Sequence, residues 1–292
     1  MMNNVEHISA SAALRARRCL TALLILLLSA CHSATELPPA GPQYDGQSPF
    51  PLRQAQAPTG SHFLLRTRAL DPDARERAIA AQILNGNVPR QIRQLVPLPL
   101  TFGEHSAIIY VVPDYLAIGA DDDYVVMPMR PQTAMHIARH FGYLLPTRKL
   151  VDDIYRHAAV RLPPAPIRAG PQMRSNDYYR RHNRLINKQL AGQAPFSTLI
   201  AGHKKDVVLT PQLADQPDRV AIYGWHRGED DPIQPLSLYH GADYVDYSHG
   251  VRLISRRATL NGRQVDLATV FTDPELNPLV SDEGKLPASS YL

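Results

Sequence analysis

The sequence predicts an α+β fold: a helix-rich first half followed by a mainly antiparallel, strand-rich second half. Three observations lead there. Apolar residues at helical spacing, preceded by capping residues, concentrate before residue 192. Runs of β-branched and aromatic residues, bounded by Gly, Pro and Asp, concentrate after it. The two kinds of segment do not alternate in the βαβ order that a doubly wound sheet requires.

Each element has a local reason. In "LDPDARERAIAAQILNG", Asp71 is placed to cap a helix, Pro72 occupies its first position and Gly86 ends it. Ile79, Ile83 and Leu84 form its apolar stripe. "SAIIYVV" (Ser106–Val112) and "DYVVMPM" (Asp123–Met129) read as a strand pair joined by polar turn residues around "GADDD". "PQTAMHIARHFG" is a short helix ending at Gly142. "TRKLVDDIYRHAA" follows, capped by Thr147, with Leu150, Val151, Ile154 and Tyr155 on one face. "SNDYYRRHNRLINKQLAG" is a further helix, Ser175 to Gly192. His136, His140, His157 and His182 fall in arginine-rich helices and read as solvated. The second half supplies strands in "DVVLT", "RVAIYGWH", "ADYVDY" and "VRLISRRATL". "LNGR" (Leu260–Arg263) is a hairpin turn, because Asn-Gly accepts the positive φ of a type I′ turn.

The amino-terminal segment has a different character. Arg15, Arg17 and Arg18 precede the apolar run "CLTALLILLL", Cys19–Leu28. That run is too short to span a bilayer, which takes about 20 apolar residues, and has the length of a signal-peptide core. "LSAC" (Leu28–Cys31) follows at once. The segment resembles the signal peptide and lipobox of bacterial lipoproteins. The resemblance implies removal of residues 1–30, diacylglyceryl attachment to Cys31 and acylation of the new amino terminus. It places the protein outside the cytoplasm with a lipid membrane as partner. His32, where inner-membrane lipoproteins often carry aspartate, favours the outer membrane in a host that has one. Residues 31–60, rich in Pro, Gly, Gln and Ser, read as the lipidated cysteine and an extended tether. Residues 61–292 read as one α+β domain, its helical part about 61–192 and its strand-rich part about 193–292.

The chain has two cysteines. With Cys19 lost in the signal and Cys31 acylated, as the resemblance implies, no thiol remains for nucleophilic, redox or thiolate-metal chemistry. The formal net charge of +4 falls without the signal's arginines, and no polybasic block is present. Nucleic acid is therefore not an expected partner.

Candidate chemistry concentrates in the strand-rich half. His203 lies in "AGHKKD", His226 in "YGWHRGEDD", His240 in "LYHGAD" and His249 in "YSHG", each beside a glycine or a strand end. One reading joins two or three of these imidazoles to Asp206 or Asp246 around a divalent metal such as zinc. A second is metal-free: His203 or His249 as general base, Asp206 or Asp246 to orient it, and Lys205 or Arg252 to stabilise developing charge. His226 completes the catalytic candidates. In a third, Trp225, Tyr223, His240 and Tyr247 bind a sugar or peptide without reaction. A wholly structural role for each residue is the alternative to all three. The expectation is a hydrolase of a cell-envelope or extracellular polymer, polysaccharide or peptidoglycan, with a non-catalytic binding or scaffold lipoprotein as the other class.

Overall fold

Helix starts follow the capping residues. The computed structural model describes residues 46–191 and 198–287, which belong to one unit running from Pro42 to Leu292. The signal segment, Cys31, the tether up to residue 45 and Gly192 lie outside the described residues. Helices α1 (Gly60–Arg66), α2 (Pro72–Leu84), α3 (Pro131–Phe141), α4 (Arg148–His157), α5 (Asn176–Leu190) and α6 (Leu267–Thr272) are formed. Asp71 accepts from Ala74 N at 2.8 Å, Thr147 from Leu150 N at 3.2 Å and Ser175 from Tyr178 N at 3.3 Å. Each bond satisfies an amide that the first helical turn leaves unpaired. Gly142, at φ 70°, ends α3 in the left-handed conformation.

The strands of the first part are β1 (Val96–Phe102), β2 (His105–Val111), β3 (Ala117–Gly119), β4 (Tyr124–Val126), β5 (Tyr143–Leu144) and β6 (Val160–Arg161). After α5 come β7 (Ile200–Ala201), β8 (Lys205–Val207), β9 (Ile222–His226), β10 (Pro232–Ser237) and β11 (His249–Gly250). The last are β12 (Ile254–Ser255), β13 (Arg257–Leu260) and β14 (Arg263–Asp266). One sheet has the order β14-β13-β2-β12-β5, with β1 also paired to β2. A second has the order β10-β9-β8-β11. The β13–β14 hairpin turns on Asn261 and Gly262, at φ 48° and 79°, as "LNGR" predicts. Helices and largely antiparallel sheets together make the fold α+β.

Several segments depart from the sequence reading. β2 pairs with β1, Val96 opposite Val111, whereas "DYVVMPM" turns back on β3 as a separate hairpin. β1 is an edge strand holding Pro97 and Pro99, and proline in a run argues against strand from sequence alone. "ADYVDY" is loop rather than strand, and "VRLISRRATL" breaks into β12 and β13. Residues 46–60, read from composition as tether, pack on the body: Phe50 is buried, and Arg53 donates to Asn87 Oδ1 at 2.8 Å. His182 is fully buried, not solvated.

α4 shows how an amphipathic pattern positions the second sheet. Leu150, Val151, Ile154 and Tyr155 are buried while Arg156 and His157 face solvent. The buried face packs on β9, where a Cβ on Gly224 would lie 3.2 Å from Val151 Cγ1. Next to β9, β8 pairs antiparallel with it and parallel with β11, so that His249 lies opposite Lys205 and Gly250 opposite Asp206. Gly250 permits that approach. A Cβ there would lie 2.6 Å from the Tyr115 ring and 2.8 Å from Lys204 Cβ. Overpacking of this kind costs about 1–3 kcal/mol. Gly250→Ala is therefore expected to lower the thermal midpoint, whereas Gly228→Ala, with open space around its Cβ position, leaves it unchanged. Paired melting curves check this, and equal midpoints would contradict the packing account.

Candidate functional site

Two short strands bring together a dense group of buried ionisable side chains. His203, Lys204, Asp206, Asp246, Ser248, His249 and Arg252 are all at most 3% exposed. Buried charge is costly unless partnered, so the partners determine what each group can do.

The first cluster forms around Tyr115, which follows β2. Its hydroxyl donates to Asp206 Oδ2 at 2.7 Å. The Arg252 guanidinium lies over the Tyr115 ring, 4.4 Å from its centroid, and donates to the carbonyls of Val112 and Ile200 at 2.9 and 2.6 Å. Arg252 Nε is 4.0 Å from Asp206 Oδ1. Burial nevertheless pushes the Asp206 carboxyl up to about 6, against the pull of Arg252 and the Tyr115 hydroxyl. His203 Nε2 lies 3.2 Å from Asp114 Oδ1, which also accepts the Tyr115 amide at 2.7 Å. Burial raises the Asp114 carboxyl, but His203 and Arg252 outweigh it and hold the group below the usual carboxylate range. Asp206 and Arg252 are thus held by the protein's own groups, whereas His203 has the ion-pair contact with Asp114 and no hydrogen bond at either ring nitrogen.

His226 belongs to a second place. Its Nε2 is 2.9 Å from Asp152 Oδ1 on α4, and its ring stacks on Tyr155 with centroids 4.6 Å apart. The Tyr223 hydroxyl donates to the same carboxylate oxygen at 2.9 Å.

The third cluster surrounds His249. Asp246 Oδ1 accepts from Ser248 N at 2.7 Å and Ser248 Oγ at 2.6 Å, while Oδ2 accepts the Tyr244 hydroxyl at 2.9 Å. The carboxylate therefore closes the turn that delivers His249 to β11. The Lys204 ammonium donates to Tyr247 O at 2.6 Å, and burial pushes it down to about 7. Lys205, half-buried, places Nζ 5.3 Å from the Trp225 ring centroid. Trp225 itself has φ 59°, a strained value for an aromatic residue, and its Nε1 makes no hydrogen bond. His240 stacks on Tyr244 at 3.8 Å, and the Tyr244 ring is 5.8 Å from that of His249. Neither nitrogen of the His249 imidazole has a hydrogen-bond partner. Burial pushes this group down to about 4, with the Asp246 carboxylate opposing and Lys205 reinforcing the shift.

The predicted residues thus fall into three groups. Lys205, Trp225, His240, Asp246, Tyr247 and His249 come together; His203, Asp206 and Arg252 form a neighbouring buried network; His226 and Tyr223 pair with Asp152. Tyr247 has its hydroxyl committed to the Ile167 backbone, accepting from N at 2.7 Å and donating to O at 3.0 Å. His182, missed as a core residue, has its ring 5.0 Å from Tyr247, and burial drives its imidazole far below the usual range. Asp114, Tyr115 and Asp152 were also missed. "PDY" directly after an apolar strand was the available signal for the first two, and a carboxylate beside the buried face of α4 for the third. Among the described residues, no three His, Cys, Asp or Glu side chains form a group able to hold a metal ion.

No protein-family model, curated protein or solved structure matches the chain. The chemistry is accordingly read from the residues alone. A neutral imidazole without a hydrogen bond, with the Lys205 ammonium and the Asp246 carboxylate acting on it, is equipped to take a proton beside a group that stabilises negative charge.

The His249 shift sets a pH dependence. Its pKa is lower in the folded protein than in the unfolded chain, so its contribution to stability is full above about pH 6.5 and is lost as pH falls towards 4. His249→Gln removes the titration. The thermal-midpoint difference between wild type and this variant is expected to be constant above pH 6.5 and to move against the wild type between pH 6.5 and 4. A difference independent of pH across that window would contradict the shift.

Proposed function

We propose that the protein is a membrane-tethered lipoprotein whose body is a metal-free hydrolase of a cell-envelope polymer, polysaccharide or peptidoglycan. Its helix-rich part, about 61–192, is the frame, and its strand-rich part, about 193–292, carries the chemistry. His249 is the general base that takes a proton from the attacking water and returns it to the leaving group as the scissile bond breaks. Asp246 orients it through the turn from Asp246 to His249, and Lys205, with Lys204 behind it, stabilises the negative charge that develops on the substrate. Trp225 and His240 contact the polymer.

The observation that carries this reading is the His249 imidazole, which like those of His182 and His203 makes no hydrogen bond, and on which the Asp246 carboxylate and the Lys205 ammonium both act. Native proteins pair nearly all buried polar groups, and the exceptions gather at functional sites. His249 is 1% exposed, so the loop from Tyr239 to Tyr244 has to lift for a polymer to reach it. Positioned acid–base groups contribute roughly 10²–10⁴-fold to rate. Full-length protein in detergent is expected to release soluble fragments from purified envelope polymer, and His249→Gln to lose at least about a hundredfold of that activity while keeping its fold. Unchanged turnover in His249→Gln would overturn the assignment.

A non-catalytic binding lipoprotein is the second reading. It is favoured by the closure of the centre and by the private carboxylates that already hold His203 and His226. It predicts retention of polymer by wild type and by His249→Gln alike, with no product.

The anchor is proposed on the signal segment. Among the described residues no helix is long and apolar enough to cross a membrane. Acylated Cys31 is the attachment that the lipobox resemblance suggests, more than one acyl chain being needed for stable anchoring. Cys31→Ser is expected to abolish incorporation of labelled palmitate, and continued labelling would exclude Cys31 as the acceptor.

A further inference from the structure

Beyond β8 the same chain segment forms the floor of a separate cavity. Val207 ends β8, Val208 and Leu209 continue it, and α3 faces them across a space of about 370 Å³. Small-molecule sites span roughly 300–1,000 Å³ and are mostly apolar with a few placed polar groups. Met135, Leu145, Leu209 and Ala221 supply apolar wall here. The charges on the lining are of one sign only. Arg139 and Arg219 border the cavity with His136, and no aspartate or glutamate does.

That asymmetry is informative because the neighbouring arginines are neutralised. Arg130 pairs with Asp73 at 2.6 Å and Arg148 with Asp282 at 2.9 Å. Arg219 instead donates a single Nη1 bond, 2.9 Å, to Tyr239 O, which leaves further guanidinium donors. Arg139 is exposed on the last turn of α3 and enters no ion pair among the described residues. An apolar floor under two arginines without carboxylates matches a ligand with an apolar body and a single anionic head.

We propose that this cavity binds a small aliphatic or aromatic carboxylic acid, its body against Leu145 and Leu209 and its carboxylate held by Arg139 and Arg219. The ligand would not touch His249, although Arg219 borders the loop that covers that centre through its bond to Tyr239 O.

Isothermal titration calorimetry of the full-length protein with 3-phenylpropionate, and with 3-phenylpropan-1-ol as its neutral counterpart, tests this. The acid is expected to bind one to one and at least about tenfold more tightly than the alcohol, since a charge-assisted contact is worth that much. Arg139→Gln, at an exposed position, is expected to weaken the acid by about tenfold and leave the alcohol unchanged. Met135→Trp, which fills the cavity, is expected to abolish binding of both, and His249→Gln to bind the acid as wild type does. Absence of saturable binding, equal affinities for acid and alcohol, or undiminished acid binding by Arg139→Gln would each overturn the proposal. Loss of acid binding in His249→Gln would also overturn it, by placing the ligand in the other centre.

Discussion

Two residues of parallel pairing, His249 against Lys205 and Gly250 against Asp206, hold together the costliest part of this molecule. They carry charged and polar side chains into an interior where an isolated charge would be prohibitive. The chain tolerates them because the groups that carry charge find partners close by: Asp206 the Tyr115 hydroxyl, Arg252 two carbonyls, Lys204 the Tyr247 carbonyl, Asp246 the Ser248 amide and hydroxyl. Gly250 lets the two strands close over Tyr115. The arrangement is specific rather than strongly stabilising, as buried ionic networks commonly are.

Within that network the imidazoles of His182, His203 and His249 all lack a hydrogen bond, and His249 is the one set between the Asp246 carboxylate and the Lys205 ammonium. His203 and His226 each face a carboxylate of the protein, from Asp114 and Asp152. Such pairs fix an imidazole in place and leave it little freedom to serve a substrate. His249 faces no acceptor, is kept neutral by burial, and has the Lys205 ammonium contributing to its surroundings. The strained backbone of Trp225 and its unpaired indole nitrogen lie on β9, on the far side of β8 from His249. Strain of this kind persists where surrounding structure enforces it, and it gathers at sites that bind or react.

The parts of the fold legible in the sequence were those governed by neighbours in the chain. Asp71, Thr147 and Ser175 announce their helices because a cap acts within three residues. Asn261-Gly262 announces its hairpin for the same reason. What escaped was set at long range. β11 is two residues long, too short for any periodicity, yet its partner β8 determines the site. The carboxylates that hold His203 and His226 come from residues about ninety and seventy-five positions earlier in the chain, and nothing in the local pattern names them. His182 looked solvated because arginines surround it in sequence, but helical spacing turns it inward with Tyr179 and Ile186. The concentration of His, Asp and Lys in two motifs was visible; which imidazoles would be left without a hydrogen bond was not.

The most direct measurement is the ionisation of the His249 ring itself, followed by nitrogen-detected NMR of imidazole resonances with His249→Gln used for assignment. The ring is expected to be still neutral at pH 6 and to protonate only well below the ordinary histidine range, near the value of about 4 that burial imposes. A ring that titrates at its usual value, close to 6.5, would show that water already reaches it, and the closed, unpartnered base on which the functional proposal stands would not exist.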